Sequence, residues 1–395
     1  MQFIKNFFHY VKSYSKYVDF LILIAYVALS LIGLVMVYSA SMVPAQMNEG
    51  NSEHYYIRHL MFIILGFALV FFMTYFMSGN FFKMKGVQLI MLIGIIILLL
   101  ITMIFGTEVN GQRNWISFGP FGLQSSEFFK VVAILYLAYI YSRREKRISN
   151  DDYSSIFPLV FILIVSGLVM INDMGTWMVI AAIILSMFLY VRIPFKILGW
   201  SALIGVLAMG MVAGIRYLAT GSVLSAYQMH RIDTFFHPFS DPMGTGYQLT
   251  NSLIAISNGG LFGTGIGNGV IKLGYLPEPH TDFIMAVIAE ELGLIGVLVI
   301  IALYLIIIIK ALTYAHRSTD TFYRIICIGV AMYITMQVFI NIGGISKIIP
   351  LTGVPLPLLS YGGSSFLSVS IAIGLLVIAA KHVKQKEIEL KNRRI

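Results

Sequence analysis

The chain has 395 residues, of which 58% are hydrophobic and 11% charged, with a formal net charge of +9. Soluble domains carry about 25% charged residues, so this composition excludes a water-soluble globular protein and sets most side chains against lipid or one another. The single cysteine, Cys327, excludes disulfides within one chain, and no P-loop pattern or strand-led glycine fingerprint offers an ATP or dinucleotide site.

Residues 1–18 mix Lys5, Lys12 and Lys16 with Phe3, Phe7, Phe8, Tyr10 and Tyr14. They read as a cytoplasmic or interfacial segment leading into the first span, not as a cleaved signal. A span needs ~20 apolar residues. Such runs predict an all-α polytopic membrane protein with transmembrane helices at 20–40, 59–79, 86–107, 127–142, 155–171, 174–191, 193–215, 283–309, 325–346 and 359–380.

The cations orient this bundle. With a cytoplasmic N-terminus, Lys83, Lys85, Arg143, Arg144, Lys146, Arg147, Arg192, Lys196, Lys310, Arg317 and Arg324 fall inside, together with the tail from Lys381 to Arg394. Only Arg58, Arg113, Arg216, Arg231, Lys272 and Lys347 remain outside. An even number of spans returns the C-terminus to the cytoplasm. The positive net charge is then a membrane-orientation signal with contact to anionic lipid heads, and no nucleic-acid partner is implied. The chain reads as one membrane domain, 1–395, with a long extracellular loop at 216–282 between helices seven and eight and a basic cytoplasmic tail at 381–395.

Within that loop, Leu249, Leu253 and Ile254 recur at helical spacing and predict a short helix lying in the interface. The glycine run from Gly259 to Gly269 permits either close approach to a phosphate or tight packing on a helix. Shorter outer segments at 41–58, 108–126 and 347–358 are placed beside it. Pro350 to Ser365, rich in proline and glycine, predicts a re-entrant turn lining the outer cavity.

Carboxylates are scarce, and buried charge in lipid persists mainly where function or pairing keeps it. Asp282 follows Pro277 and Pro279 and opens the eighth span, which suits a general base fixed at the membrane boundary. An Asp in that position also caps helices, and capping is the commoner role. His280 beside it is a proton carrier or a surface imidazole. Glu127 and Lys130 share one helix face at i, i+3, and two roles apply together: an ion pair lets each be buried, and a cavity-facing pair also binds a charged ligand. Arg113 with Lys130 suits a pyrophosphate, while Arg113 with Trp115 also fits an interface anchor. Glu290 and Glu291, in the eighth span, either line a polar cavity or are buried hydrogen-bonded groups. No Cys/His cluster has metal-ligand spacing.

Five stretches together resemble the SEDS family (shape, elongation, division and sporulation proteins), the FtsW and RodA type of peptidoglycan polymerase. They are Asn110-Gly-Gln-Arg-Asn-Trp115 with Gln124-Ser-Ser-Glu127-Phe-Phe-Lys130, Asp173-Met-Gly-Thr176, Gly244-Thr-Gly-Tyr247-Gln248, Leu276-Pro-Glu-Pro-His280-Thr-Asp282, and Pro355 to Ser365. The likeness runs from Val37-Tyr-Ser-Ala40 in the first span to the start of the last. Within the family, Gly33 to Ala40 and the Lys272-Leu-Gly-Tyr-Leu-Pro lead-in look more like the division member than the elongation member.

The resemblance implies polymerisation of lipid II into β-1,4 glycan strands on the outer face of the bacterial cytoplasmic membrane, at the division septum, with Asp282 as the base. It implies substrate binding by Arg113, Glu127, Lys130, Arg58, Asp173, Tyr247, Gln248, His280 and Ser364. No organic cofactor is expected; a divalent cation, Mg or Mn, is a candidate to offset pyrophosphate charge. The implied partners are lipid II, a class B penicillin-binding protein transpeptidase and divisome proteins. Ser125 and Asn172 stand where the family usually has proline, and His59 where it often has glutamine. A lipid II flippase and a non-catalytic scaffold are the rival readings. A flippase needs access from both faces, whereas the informative residues here cluster outside.

Overall fold

The structure, a computed structural model, describes residues 11–109, 112–118, 121–148, 156–191, 226–237 and 246–393, with residue 9 and scattered positions between 196 and 222. Helix α1 (Phe20–Glu49) is capped by the Asp19 carboxylate, which accepts from the Leu21 amide at 3.0 Å, and ends at Gly50 with φ 69. Then follow α2 (His54–Phe76), the short α3 (Gly79–Phe82) and α4 (Lys85–Phe105). Strands β1 (Thr107–Val109), β2 (Gln112–Phe118) and β3 (Phe121–Gln124) form an antiparallel sheet in that order. Helices α5 (Ser125–Ile148), α6 (Ile156–Asn172) and α7 (Met174–Tyr190) come next, then α8 (Ala226–Phe236) and α9 (Tyr247–Gly259). The chain closes with α10 (Ile284–Arg317), α11 (Thr321–Ile345) and α12 (Gly363–Asn392).

Helices α1, α2, α4, α10, α11 and α12 are each long and apolar enough to cross a bilayer, and α6 and α7 are shorter apolar helices. The protein is a multi-pass membrane protein. Nine of the expected spans coincide with described helices; the one at 193–215 lies largely outside the described residues. Helix α12 is the hub, packed on α2, α5 and α11, with Val369, Ala372, Leu376 and Val377 wholly buried. Helix α4 instead turns Ile90, Ile104 and Phe105 outward, as a lipid-facing helix must.

The structure departs from the sequence expectation at several places. The segment 108–126, expected as an outer loop, holds the sheet, and β3 runs straight into α5, so the described motif residues 112–115 and 124–130 sit on regular backbone. Helix α1 continues past residue 40 to Glu49, and α12 continues from the apolar span to Asn392, because Lys, Gln, Glu and Leu are good helix formers. The tail from Lys381 is therefore largely helix. The expected short helix is α9, and it buries Leu249, Asn251, Ser252, Ala255 and Gly259 while Ile254 is exposed. Small residues on that stripe let α9 approach α10 closely, and a Cβ at Gly259 would lie 1.8 Å from the Ala289 carbonyl oxygen.

The glycine run takes the packing role. At Gly293 (φ 65) α10 leaves helical geometry, and the amides of Leu294 and Ile295 donate to Gly260 O at 3.0 Å and Leu261 O at 3.2 Å. The amides of Thr264 and Gly265 donate to the carbonyls of Glu290 and Glu291. Glu290 accepts from the Val270 and Ile271 amides, and Glu291 from Ser39, Gly267 and Lys272 Nζ at 2.5 Å. These two carboxylates are thus buried, hydrogen-bonded groups. Lys272, which the cation pattern puts in the long outer segment, is buried with Glu291 as its counter-charge.

One end of the bundle gathers the sheet, the start of α2, the turns before α10 and the segment 350–362; this is the Asp282 end. The opposite end carries residues 11–19, α3, the α10–α11 turn and the last turns of α12. It is fastened by Lys310–Asp19 at 3.0 Å and Lys83–Asp320 at 2.5 Å.

Candidate active site

The turn before α10 decides what Asp282 is available to do. Phe283 occupies the N-cap position of α10, and no side chain caps that helix. Capping is found instead at Asp173, whose carboxylate accepts from the Thr176 amide at 2.9 Å and the Thr176 hydroxyl at 2.7 Å. The Asp282 carboxylate is therefore not consumed by its own helix. Between Pro277 and Pro279, Glu278 is held at φ 50, a conformation that non-glycine residues rarely adopt, and its carbonyl accepts from the Thr281 amide and hydroxyl. The result is a tight turn that presents residue 282. From α11, the Asn341 amide donates to the Asp282 carbonyl at 2.9 Å and to the Val354 carbonyl at 2.8 Å. Burial pushes the Asp282 carboxyl up to about 7; Arg231 pulls against this, and Glu278 and Asp173 add to it.

His280 is buried and its ring stacks on Tyr55 at 4.4 Å, while its carbonyl accepts from the Tyr361 amide at 2.8 Å. It is not the surface imidazole that its loop position suggests. Burial lowers its pKa to about 4, so the ring is neutral at pH 7, and Nδ1 has no hydrogen-bond partner. Arg58, half-buried on the first turn of α2, hydrogen-bonds the Tyr361 side chain. His59 next to it is fully buried against Tyr361 and Phe366.

Glu127 and Lys130 pair at 2.8 Å with neither side chain exposed. Lys130 also donates to Gln337 at 3.1 Å and lies over the Tyr333 ring, and Glu127 accepts from Ser368 at 3.1 Å. The two form the expected buried ion pair, beneath the Asp282 end. Ser364 is likewise occupied: its hydroxyl accepts from the Gln124 amide at 3.0 Å and donates to the Gly122 carbonyl at 3.2 Å, pinning β3 to the start of α12.

Arg113 lies on β2 with its side chain exposed, and its carbonyl accepts from Asn172 at 3.3 Å. Asn172, one of the departures from the resembled pattern, thus ties the sheet to α6. Ser125, another of them, accepts from Thr102 at 2.9 Å and ties α4 to α5. Tyr247 and Gln248 open α9 and are half-buried. Asn110 and Gly111 of the Arg113 motif, and Gly244 and Thr245 of the Tyr247 motif, lie outside the described residues, as does Asp241.

The segment expected as a re-entrant turn is irregular and largely buried backbone. Leu356, Leu358 and Leu359 are buried, and Gly33 of α1 packs so closely that a Cβ there would meet the Leu358 carbonyl at 2.5 Å. The irregular backbone is satisfied by side chains: Tyr304 donates to Pro357 O, Gln337 to Pro355 O, and Ser360 accepts from the Leu356 amide. Sequence reasoning had passed over Asn341, Gln337, Tyr333, Ser368, Tyr55 and Tyr361. For all but Tyr361, which precedes α12, a polar group within an apolar helix was the available signal. Among the described residues, no three His, Cys, Asp or Glu side chains are grouped closely enough to hold a metal by themselves.

A family model described as "Cell cycle protein", of the FtsW, RodA and SpoVE type, matches residues 19–385. The chain belongs to this family. A relative from Bacillus subtilis, named a probable peptidoglycan glycosyltransferase FtsW, is 38% identical over 95% of this chain and 94% of its own. One of the same name from Coxiella burnetii is 37% identical over 91% and 95%. These relatives agree with the reading of an FtsW-type rather than a RodA-type chain. In structure, the chain is similar to one from a peptidoglycan synthase complex that coordinates polymerization and crosslinking, with TM-score 0.71, 24% identity, and coverage of 93% of this chain and 98% of that one. The rod shape determining protein RodA of Thermus thermophilus matches with TM-score 0.63 and 22% identity over 92% and 96%. Both likenesses are of fold.

Proposed function

We propose that this FtsW-type chain is a peptidoglycan glycosyltransferase that polymerises lipid II into β-1,4 glycan strands in septal cell-wall synthesis. The Asp282 end would face the outside of the bacterial cytoplasmic membrane. The observation that carries the reading is Asp282 itself: uncommitted to capping, fixed on a constrained turn and buried enough to raise its pKa to about 7. A base with a pKa near the working pH combines a useful ionised fraction with enough proton affinity to accept a proton.

In this reading Asp282 takes the proton of the acceptor sugar 4-hydroxyl as that oxygen attacks the anomeric carbon of the donor. The donor's bond to pyrophosphate breaks in the same displacement, so configuration inverts and no covalent enzyme intermediate forms. Arg113, exposed on β2, offers a guanidinium fork to the leaving phosphates. Lys130, paired with Glu127, contributes structure beneath the cavity rather than direct contact. Neutral His280 on Tyr55, with Arg58 on Tyr361, shapes the wall. A divalent cation, where bound, would offset the charge of the leaving pyrophosphate. The partner in this proposal is a class B penicillin-binding protein transpeptidase, supported by the likeness to a chain of a peptidoglycan synthase complex.

The test is strand synthesis from lipid II by the purified protein with its transpeptidase, comparing wild type with Asp282→Asn. Strands from wild type and none from a folded variant are expected. Equal yields would remove Asp282 from the mechanism, and transbilayer movement of lipid II without strand synthesis would favour the flippase.

A further inference from the structure

The end of the bundle opposite Asp282 contains a cavity of about 300 Å³ between residues 14 and 75–80, Tyr323 and the last turns of α12. Small-ligand sites begin at roughly this size. Lys381 lies 17 positions beyond Ser364 on α12, which at ~1.5 Å per residue separates the cavity from the candidate active site by ~25 Å, near the thickness of a bilayer core. The cavity therefore opens where lipid headgroups lie.

Its charge is unbalanced. Two carboxylates at this end are engaged, Asp320 with Lys83 at 2.5 Å and Asp19 with Lys310 at 3.0 Å, while Glu389 on the last turns of α12 acts on His382. Lys381, which lines the cavity, has no carboxylate within 4.0 Å among the described residues. Its ammonium is held in place by the Thr74 carbonyl at 2.9 Å and by the Tyr14 ring at 4.5 Å. These contacts use part of a three-donor group and leave its charge without a carboxylate partner. The adjacent His382 is stacked on Tyr323 at 4.1 Å, and its Nε2 is buried without a hydrogen-bond partner. Asn80 and Gln385 add amide groups to the same wall. A fixed cation with no carboxylate partner, lining a polar cavity, calls for an anion that also fills space.

We propose that this cavity binds a phosphate group, with Lys381 as its counter-charge and His382 and Gln385 beside it; the headgroup of an anionic phospholipid and a soluble phosphate share this chemistry. The site is separate from the polymerising end and does not depend on the proposed activity.

Purified full-length protein in neutral detergent is titrated with phosphatidylglycerol, phosphatidylcholine and, separately, inorganic phosphate. Native mass spectrometry follows saturable binding of one equivalent, and melting temperature follows protection. Phosphatidylglycerol should bind ahead of phosphatidylcholine, and Lys381→Gln should weaken it roughly tenfold, while Lys381→Arg keeps it. Because Lys381→Gln also removes the link to Thr74, Gln385→Trp provides an independent arm that fills the cavity and leaves the cation; it should abolish the saturable equivalent. Protection by inorganic phosphate without lipid preference supports the same site with a soluble source. Equal binding of both lipids with no response to phosphate, or binding unchanged in both Lys381→Gln and Gln385→Trp, overturns the proposal.

Discussion

The side-chain amide of Asn341 bridges two main-chain carbonyls, Asp282 at 2.9 Å and Val354 at 2.8 Å. One residue of α11 thereby fixes both the turn that presents the candidate base and the re-entrant segment that packs beside it. Replacing it with leucine leaves two buried carbonyls without a donor, at about 1–3 kcal/mol each. Asn341→Leu should lower the rate of strand synthesis by tenfold or more while the helical circular dichroism signal is retained. An unchanged rate would mean that the turn holds its geometry without this bridge.

The raised pKa of Asp282 gives a pH signature. Strand synthesis should fall as pH drops through about 7, because the base becomes protonated. Stability moves the other way. A carboxyl with a folded pKa of about 7 and an ordinary unfolded value of 3.8 binds more protons when folded between those limits, so stability declines as pH rises from about 4 to 7. Asp282→Asn removes the buried charge. It should therefore melt at least about 2 °C higher than wild type at pH 8, with the difference shrinking at pH 5. A variant that is inactive and less stable at pH 8 would contradict this account.

The Glu127–Lys130 pair yields to a double-mutant cycle. Removing either partner strands a buried charge, at about 3–5 kcal/mol. Glu127→Gln and Lys130→Met should each be strongly destabilised in thermal melts, and the double variant less so than the sum of the two. Strand synthesis recovered in the double variant would mark the pair as a structural floor. A stable but inactive double variant would mean that the charges act on substrate.

The approach of α9 to α10 depends on glycine. At Gly259 an added Cβ would lie 1.8 Å from the Ala289 carbonyl oxygen, and at Gly263 (φ +79) 2.2 Å from that of Glu291. Gly259→Ala and Gly263→Ala should each destabilise by about 1–3 kcal/mol. Gly267→Ala, with nothing within 4 Å, should be milder and limited to the strain of its φ of +88. Comparing the melting temperatures of the three variants checks the ranking.

Much of this protein was legible in its sequence. Long apolar runs can be only membrane helices, because backbone groups in lipid must be satisfied within the segment, and nine of the predicted spans coincide with described helices. The motifs around Asp282, Glu127 and Pro355 to Ser365 pointed to one end of the bundle, and the structure gathers them there. The roles of individual groups were not legible, since spacing does not reveal which partner a side chain meets. Asp282 and Asp173 each precede a helix, and only tertiary structure showed that Asp173 caps and Asp282 does not. The glycine run permitted two uses, and contact with the Glu290 and Glu291 carbonyls selected packing. Lys272, far from Glu291 in charge pattern, became its buried partner because the loop folds back along α10. Hydrophobicity, a property of single segments, set the helices and the solvent; the meeting of polar groups from distant segments, which depends on the whole packing, decided the site.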